Sequence, residues 1–152
     1  MPDAPSPRPR VLIVEDNGER HRFFTAQIPD KFKVVIVSSA GAAKGLLQRA
    51  GKYDYAGVML DHDLVERCKT ADDESLSASD IIDGIIMKLS HEVPILVHSM
   101  NMARSREMMR KLESAHFQVT RIPMVAMTPQ NLNAWLDGYV WETWEAWQAY
   151  GE

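Results

Sequence analysis

The sequence predicts an α/β fold, a doubly wound five-stranded parallel sheet of order 2-1-3-4-5 with helices on both faces. Three observations predict it. Five short strand-like segments recur along the chain, and the first, Val11 to Val14, is continuous rather than alternating, as in a strand covered on both faces. Between them lie stretches with apolar residues at helical spacing, so strands and helices alternate through right-handed crossovers. Three of the segments, Val11-Leu12-Ile13-Val14, Val58-Met59-Leu60 and Ile95-Leu96-Val97, stop abruptly at charged or polar residues. They mark the carboxyl edge of the sheet, where open α/β folds place their ligands.

Residues 1–9 carry prolines at 2, 5, 7 and 9 and almost no apolar side chains, which predicts an extended, disordered tail. The α/β domain then spans 10–127. Val11 to Val14 is its first strand, and Asn17-Gly18 turns the chain into an amphipathic helix holding Phe23, Phe24 and Ile28. Val34 to Val37 is the second strand; Ser38 or Ser39 caps a helix whose apolar face is Ala42, Ala43, Leu46 and Leu47. Tyr55 to Leu60 is the third, followed by a long polar loop, Glu66 to Ser79, and a helix with Ile81, Ile82, Ile85, Ile86 and Leu89 on one side. Pro94 to His98 is the fourth strand, Met102 to Ala115 a helix, and Phe117 to Ile122 the fifth strand, ended by Pro123. Residues 128–152 form an aromatic terminal helix that completes the same domain, with Thr128 as its cap and Pro129 in its first turn. It holds all four tryptophans. Trp141, Trp144, Trp147 and Tyr150 are spaced by three, and each step turns the side chain back by about 60°, so they cannot all face one core. A homodimer through this helix is the partner such exposed aromatics suggest.

Composition excludes several classes. At 152 residues the chain can bury a core without staples, and its single cysteine, Cys68, rules out an intrachain disulfide or a multi-cysteine zinc site. One cysteine, no run of about 20 apolar residues and no signal-like start predict a cytoplasmic protein with no membrane partner. A net charge of −4 argues against a surface that coats nucleic acid, while leaving room for one nucleotide or RNA end in a local pocket.

The chemistry concentrates where the three strand ends meet. In the 2-1-3-4-5 order the first, third and fourth strands are neighbours, so Glu15-Asp16, Asp61-His62-Asp63 and His98-Ser99-Met100-Asn101 converge on the switch-point crevice. Glu15, Asp16 and Asp61 are three carboxylates in a small volume. They need a cation, and hard oxygen donors suit Mg²⁺ or Mn²⁺. Arg104 and Arg106, at the start of the following helix, lie beside the same edge and are suited to an anionic ligand.

The endings Val14-Glu15-Asp16-Asn17, Leu60-Asp61 and Val97-His98-Ser99 resemble the receiver domains of response regulators, over about Arg10 to Pro123. The resemblance implies a flavodoxin-like receiver fold, Mg²⁺ on Glu15 and Asp16, a phosphoryl-accepting Asp61, and Ser99 on the phosphoryl oxygens. Two departures stand out. Receivers carry a lysine on the last strand just before a proline; here there is only Arg121, one residue early, and a guanidinium is not an ammonium. The second is the gain of His62, Asp63, His98 and Asn101. Leu-Asp-His-Asp-Leu followed by His-Ser-x-Asn is similar to a divergent receiver-like family described as cyclic-phosphate processing, which implies hydrolysis of a cyclic phosphate on a nucleotide or RNA end.

If Asp61 and Ser99 are level on adjacent strands, His62 and His98 both turn to the opposite face and form a pair. Two imidazoles near neutral pKa then serve as base and acid on one phosphodiester, with Asp63 or Asn101 orienting a ring nitrogen. The leading expectation is a metal-dependent phosphoesterase acting on a phosphorylated small molecule or RNA end. Its alternatives are a receiver phosphorylated on Asp61 by a histidine kinase, and an inactive pseudo-receiver that only binds a protein.

Overall fold

The computed structural model describes residues 8–61 and 78–150. In chain order they form β1 (Arg10–Val14), α1 (Gly18–Gln27), β2 (Lys33–Val37), α2 (Ala40–Gln48), β3 (Gly57–Leu60), α3 (Ala78–Lys88), β4 (Ile95–Val97), α4 (Met102–Ser114) and β5 (Val119–Arg121). A 3₁₀ turn at Met124–Ala126 leads to α5 (Pro129–Trp135), a π-helical turn (Leu136–Val140) and α6 (Trp141–Tyr150). The sheet is parallel throughout and runs β2-β1-β3-β4-β5, the order the sequence predicts. The loop expected over Glu66 to Ser79 lies mostly outside the described residues. Pro9, placed in the tail by its composition, is buried, and its carbonyl accepts a hydrogen bond from the Lys33 amide at 2.8 Å.

Strand alternation sorts the core into two layers. Leu12, Val14, Val58, Leu60, Ile95 and Val97 face α2, α3 and α4, whereas Val11, Ile13, Met59 and Leu96 face α1 and α5. The central strands thus need apolar residues on both faces, which is why β1, β3 and β4 end in unbroken apolar runs, whereas the edge strand β5 reads Val-Thr-Arg. Caps fix the helix starts: Asn17, Ser39, Asn101 and Thr128 each accept an amide hydrogen from three residues on.

The terminal helical segment shares a core layer with α1, where Leu132, Trp135 and Leu136 join Phe24 and Ile28. Trp135 and Val140 press onto Gly57 of β3, so closely that a Cβ there would fall 2.6 Å from Val140 Cγ2. Beyond the π turn, where the Trp141 amide donates to the Leu136 carbonyl, α6 reaches residues that precede the strands. Trp141 stacks edge-on to Phe32 with Lys31 over its ring, and Trp147 meets Tyr53 and donates its indole N–H to Glu92 at 3.1 Å. Three tryptophans are therefore half-buried by the chain's own amino edge, and Tyr150 is left outside at 88% exposure. Trp147 touches both core layers, the structural answer to an aromatic row that cannot face one core.

Candidate functional site

Glu15, Asp61 and His98 continue β1, β3 and β4 by one residue past each carboxyl end. The register pairs Val14 with Leu60 and Leu60 with Val97, and the ladder continues through Asp61 N–H to Val14 O and His98 N–H to Leu60 O. The next row is therefore Glu15, Asp61 and His98, level with one another. They sit two residues beyond Ile13, Met59 and Leu96, so alternation turns all three to the α1 face. All three are buried, and one ligand atom from each lies within 4.8 Å of the others.

This register corrects the one on which the histidine pair was predicated. Asp61 is level with His98, not with Ser99, so the reason for placing His62 and His98 together on the opposite face falls away. His62 and Asp63 lie outside the described residues. Asp16 does not join the close group: it follows Glu15 directly, and successive residues of an extended chain point to opposite sides. Ser99 is fully buried, and its Oγ accepts the Asn101 amide at 3.1 Å. Asn101 gives its side-chain oxygen to the Arg104 amide, capping α4, rather than to a histidine ring. Arg104 and Arg106 are exposed on that helix.

The first turn of α1 closes the pocket. Arg20 Nη1 lies 3.3 Å from Glu15 Oε1 and 3.5 Å from Asp61 Oδ2, bridging two carboxylates whose side chains have no exposure. The Asn17 amide donates to Glu15 Oε2 at 3.1 Å, and the His21 ring donates through Nε2–H to the Glu15 carbonyl. Neither Arg20 nor His21 was singled out from sequence as part of the site. The signal was present: Asn17-Gly18 starts a helix directly after Glu15, so its third and fourth residues come back over the strand end. Arg121, the departure on the last strand, donates through Nη2 to the Ser99 carbonyl at 3.1 Å and so ties down the chain after β4.

His98 Nε2 is 2.9 Å from Glu15 Oε1, and the ring packs edge-on to Phe24 at 5.3 Å between centroids. Burial pushes the His98 pKa below its usual value, against the opposing pull of the Glu15 hydrogen bond and charge. A protonated ring would also bury an Nδ1–H, and among the described residues Nδ1 has no hydrogen-bond partner. The neutral Nε2–H tautomer, donating to Glu15, is the form this environment favours. Burial alone would raise the Glu15 carboxyl, but the His98 hydrogen bond, the attraction of His98 when charged, the Asn17 amide and an Asp61 side-chain hydrogen bond hold it down at about 2.

Two carboxyl groups beside an imidazole are a donor set that fits a hard divalent cation. Because the His98 Nε2–H is committed to Glu15, the oxygens would be the ligands of such an ion and the imidazole would orient one of them.

Comparison with known proteins gives the family and the fold. The sequence model of the cyclic-phosphate processing receiver domain matches residues 10–114. No curated protein matches the chain by sequence. Among solved structures, the receiver domain of a Pseudomonas aeruginosa sensor histidine kinase, with a magnesium ion coordinated in its active-site cleft, is similar at TM-score 0.63 and 18% identity, covering 88% of this chain and 98% of that one. The signal receiver domain of an HD domain-containing protein from Pseudomonas fluorescens is similar at TM-score 0.65 and 11% identity, covering 92% of each chain. The response regulator domain of Thermotoga maritima CheB follows at TM-score 0.55 and 14% identity, covering 91% and 97%.

Proposed function

The chain belongs to the cyclic-phosphate processing receiver domain family, and from that premise we propose that it hydrolyses a cyclic phosphate on a nucleotide or an RNA end with the help of Mg²⁺ or Mn²⁺. The observation that carries the reading is the buried Glu15 and Asp61 pair, level on adjacent strands at the switch point. Glu15 and Asp61 would hold the cation, which would neutralise the charge that builds on the phosphoryl oxygens. His98 fixes the Glu15 carboxylate through its Nε2–H and acts as a positioning residue, being sealed from solvent. The proton transfers fall to His62, with Asp63 orienting its ring. Water attacks phosphorus as one ring P–O bond breaks; His62 takes the proton from water and passes it to the leaving oxygen, which becomes a hydroxyl, so the ring returns to its neutral form.

Phosphorus NMR tests this on 2′,3′-cyclic nucleotides and a cyclic-phosphate-ended RNA with Mg²⁺ or Mn²⁺. The cyclic signals should give way to monoester signals, and both Asp61→Asn and His62→Ala should lower the rate at least a hundredfold. No turnover by the wild type would remove the hydrolase reading. One observation favours a second reading, phosphorylation of Asp61 by a histidine kinase: a guanidinium lies 3.5 Å from its carboxylate, the kind of charge partner phosphoryl acceptance needs. Labelling of Asp61 by acetyl phosphate, without turnover of cyclic substrates, would establish that alternative.

A further inference from the structure

We propose that Arg20 is the resident counter-cation of this pocket and exchanges partners when a divalent ion binds, leaving Glu15 and Asp61 for the anionic oxygens of the phosphate ligand. This rests on the reading of the pocket as a divalent-cation and phosphate site. Its geometry has three parts. A single nitrogen, Nη1, serves both carboxylates, at 3.3 and 3.5 Å. These separations exceed the roughly 2.7–2.9 Å of a strong charge-assisted hydrogen bond, so the guanidinium is held loosely. The Arg20 side chain keeps 24% exposure while both partners have none, so it enters the pocket from its mouth.

A guanidinium and a divalent ion cannot share the same two carboxylates, because like charges a few ångströms apart in a partly dry site repel strongly. The ion, with twice the charge, displaces the arginine. Arg20 stays tethered to α1 at the pocket's mouth, with a planar fork suited to two phosphate oxygens. Arg121 is differently engaged, because its Nη2 is bound to the Ser99 carbonyl. The positive charge that receivers draw from their last strand is thus supplied here from the first helix.

Calorimetric titration of Mg²⁺ into the full chain tests the exchange, followed by inorganic phosphate into the Mg²⁺-loaded protein. Arg20→Ala should bind Mg²⁺ about tenfold tighter than the wild type, and its loaded form should bind phosphate about tenfold more weakly. Arg20→Gln, which keeps the length without the charge, should behave like Arg20→Ala. Arg20→Lys should restore wild-type Mg²⁺ affinity. Equal or weaker Mg²⁺ binding by both neutral variants overturns the inference, as does unchanged phosphate affinity or the absence of Mg²⁺ binding by every form. Tighter metal and weaker phosphate binding in a protein that hydrolyses no cyclic phosphate supports the inference and removes only the hydrolase reading.

Discussion

Glu15 and His98 make the pocket sensitive to acid in a defined direction. A carboxyl held at about 2 against an ordinary 4.5 contributes stability that is present above pH 4.5 and lost as the pH falls toward 2. A histidine whose pKa is lowered by burial acts the same way at higher pH: the unfolded chain binds a proton near pH 6.5 that the native ring resists, so stability falls as acid is added below that point. Urea unfolding across pH 7 to 3 should therefore show stability declining with acid, and Glu15→Gln should flatten the limb below pH 4.5, where one proton contributes up to about 1.4 kcal/mol per pH unit. An unchanged acid limb in Glu15→Gln would contradict the assignment. At this level the sequence was partly legible. Glu15, Asp61 and His98 announced themselves as polar residues ending apolar runs. Their common row did not, because register is set by hydrogen bonds between strands far apart in sequence. The parity of Ile13, Met59 and Leu96 with the residues two beyond them carries that information only once the strands are aligned.

The α1 turn and the terminal helices show how neighbouring elements determine what each stretch becomes. Asn17 starts α1 immediately after Glu15, which brings Arg20 and His21 back onto the strand end; the same two residues on a helix starting a turn later would face water. The terminal helices depend on a residue without a side chain. Gly57→Ala would force its Cβ against Val140 and Trp135, and overpacking of this sort costs about 1–3 kcal/mol. Urea unfolding should show that loss without a change in strand register, and a variant as stable as the wild type would show that α5 and its π turn yield easily. Glycine in a strand signals a close approach, yet the sequence does not identify what approaches. Nor did it reveal the π turn, which changes the rotational phase of Trp141, Trp144 and Trp147 and carries them to the amino edge of the sheet.

Chain topology joins these features into one arrangement. Reversal of strand order between β1 and β3 opens the crevice at Glu15 and Asp61, while α6 covers the amino edge, so pocket and tryptophan row lie at opposite ends of the sheet. This much was legible in continuous aliphatic runs and their alternation with helical spacing, because a strand covered on both sides has few other ways to be written. The central claim is that the two level carboxylates form a divalent-cation site. Thermal melting of the wild type and Asp61→Asn with and without saturating Mg²⁺, then Mn²⁺, tests it most directly, with each protein compared to its own metal-free form. The account predicts that the wild type melts about 5 °C higher with the ion and that Asp61→Asn loses that increment. A wild type whose melting temperature neither ion moves would contradict it, and would fit a receiver fold that uses its acidic edge for no metal at all.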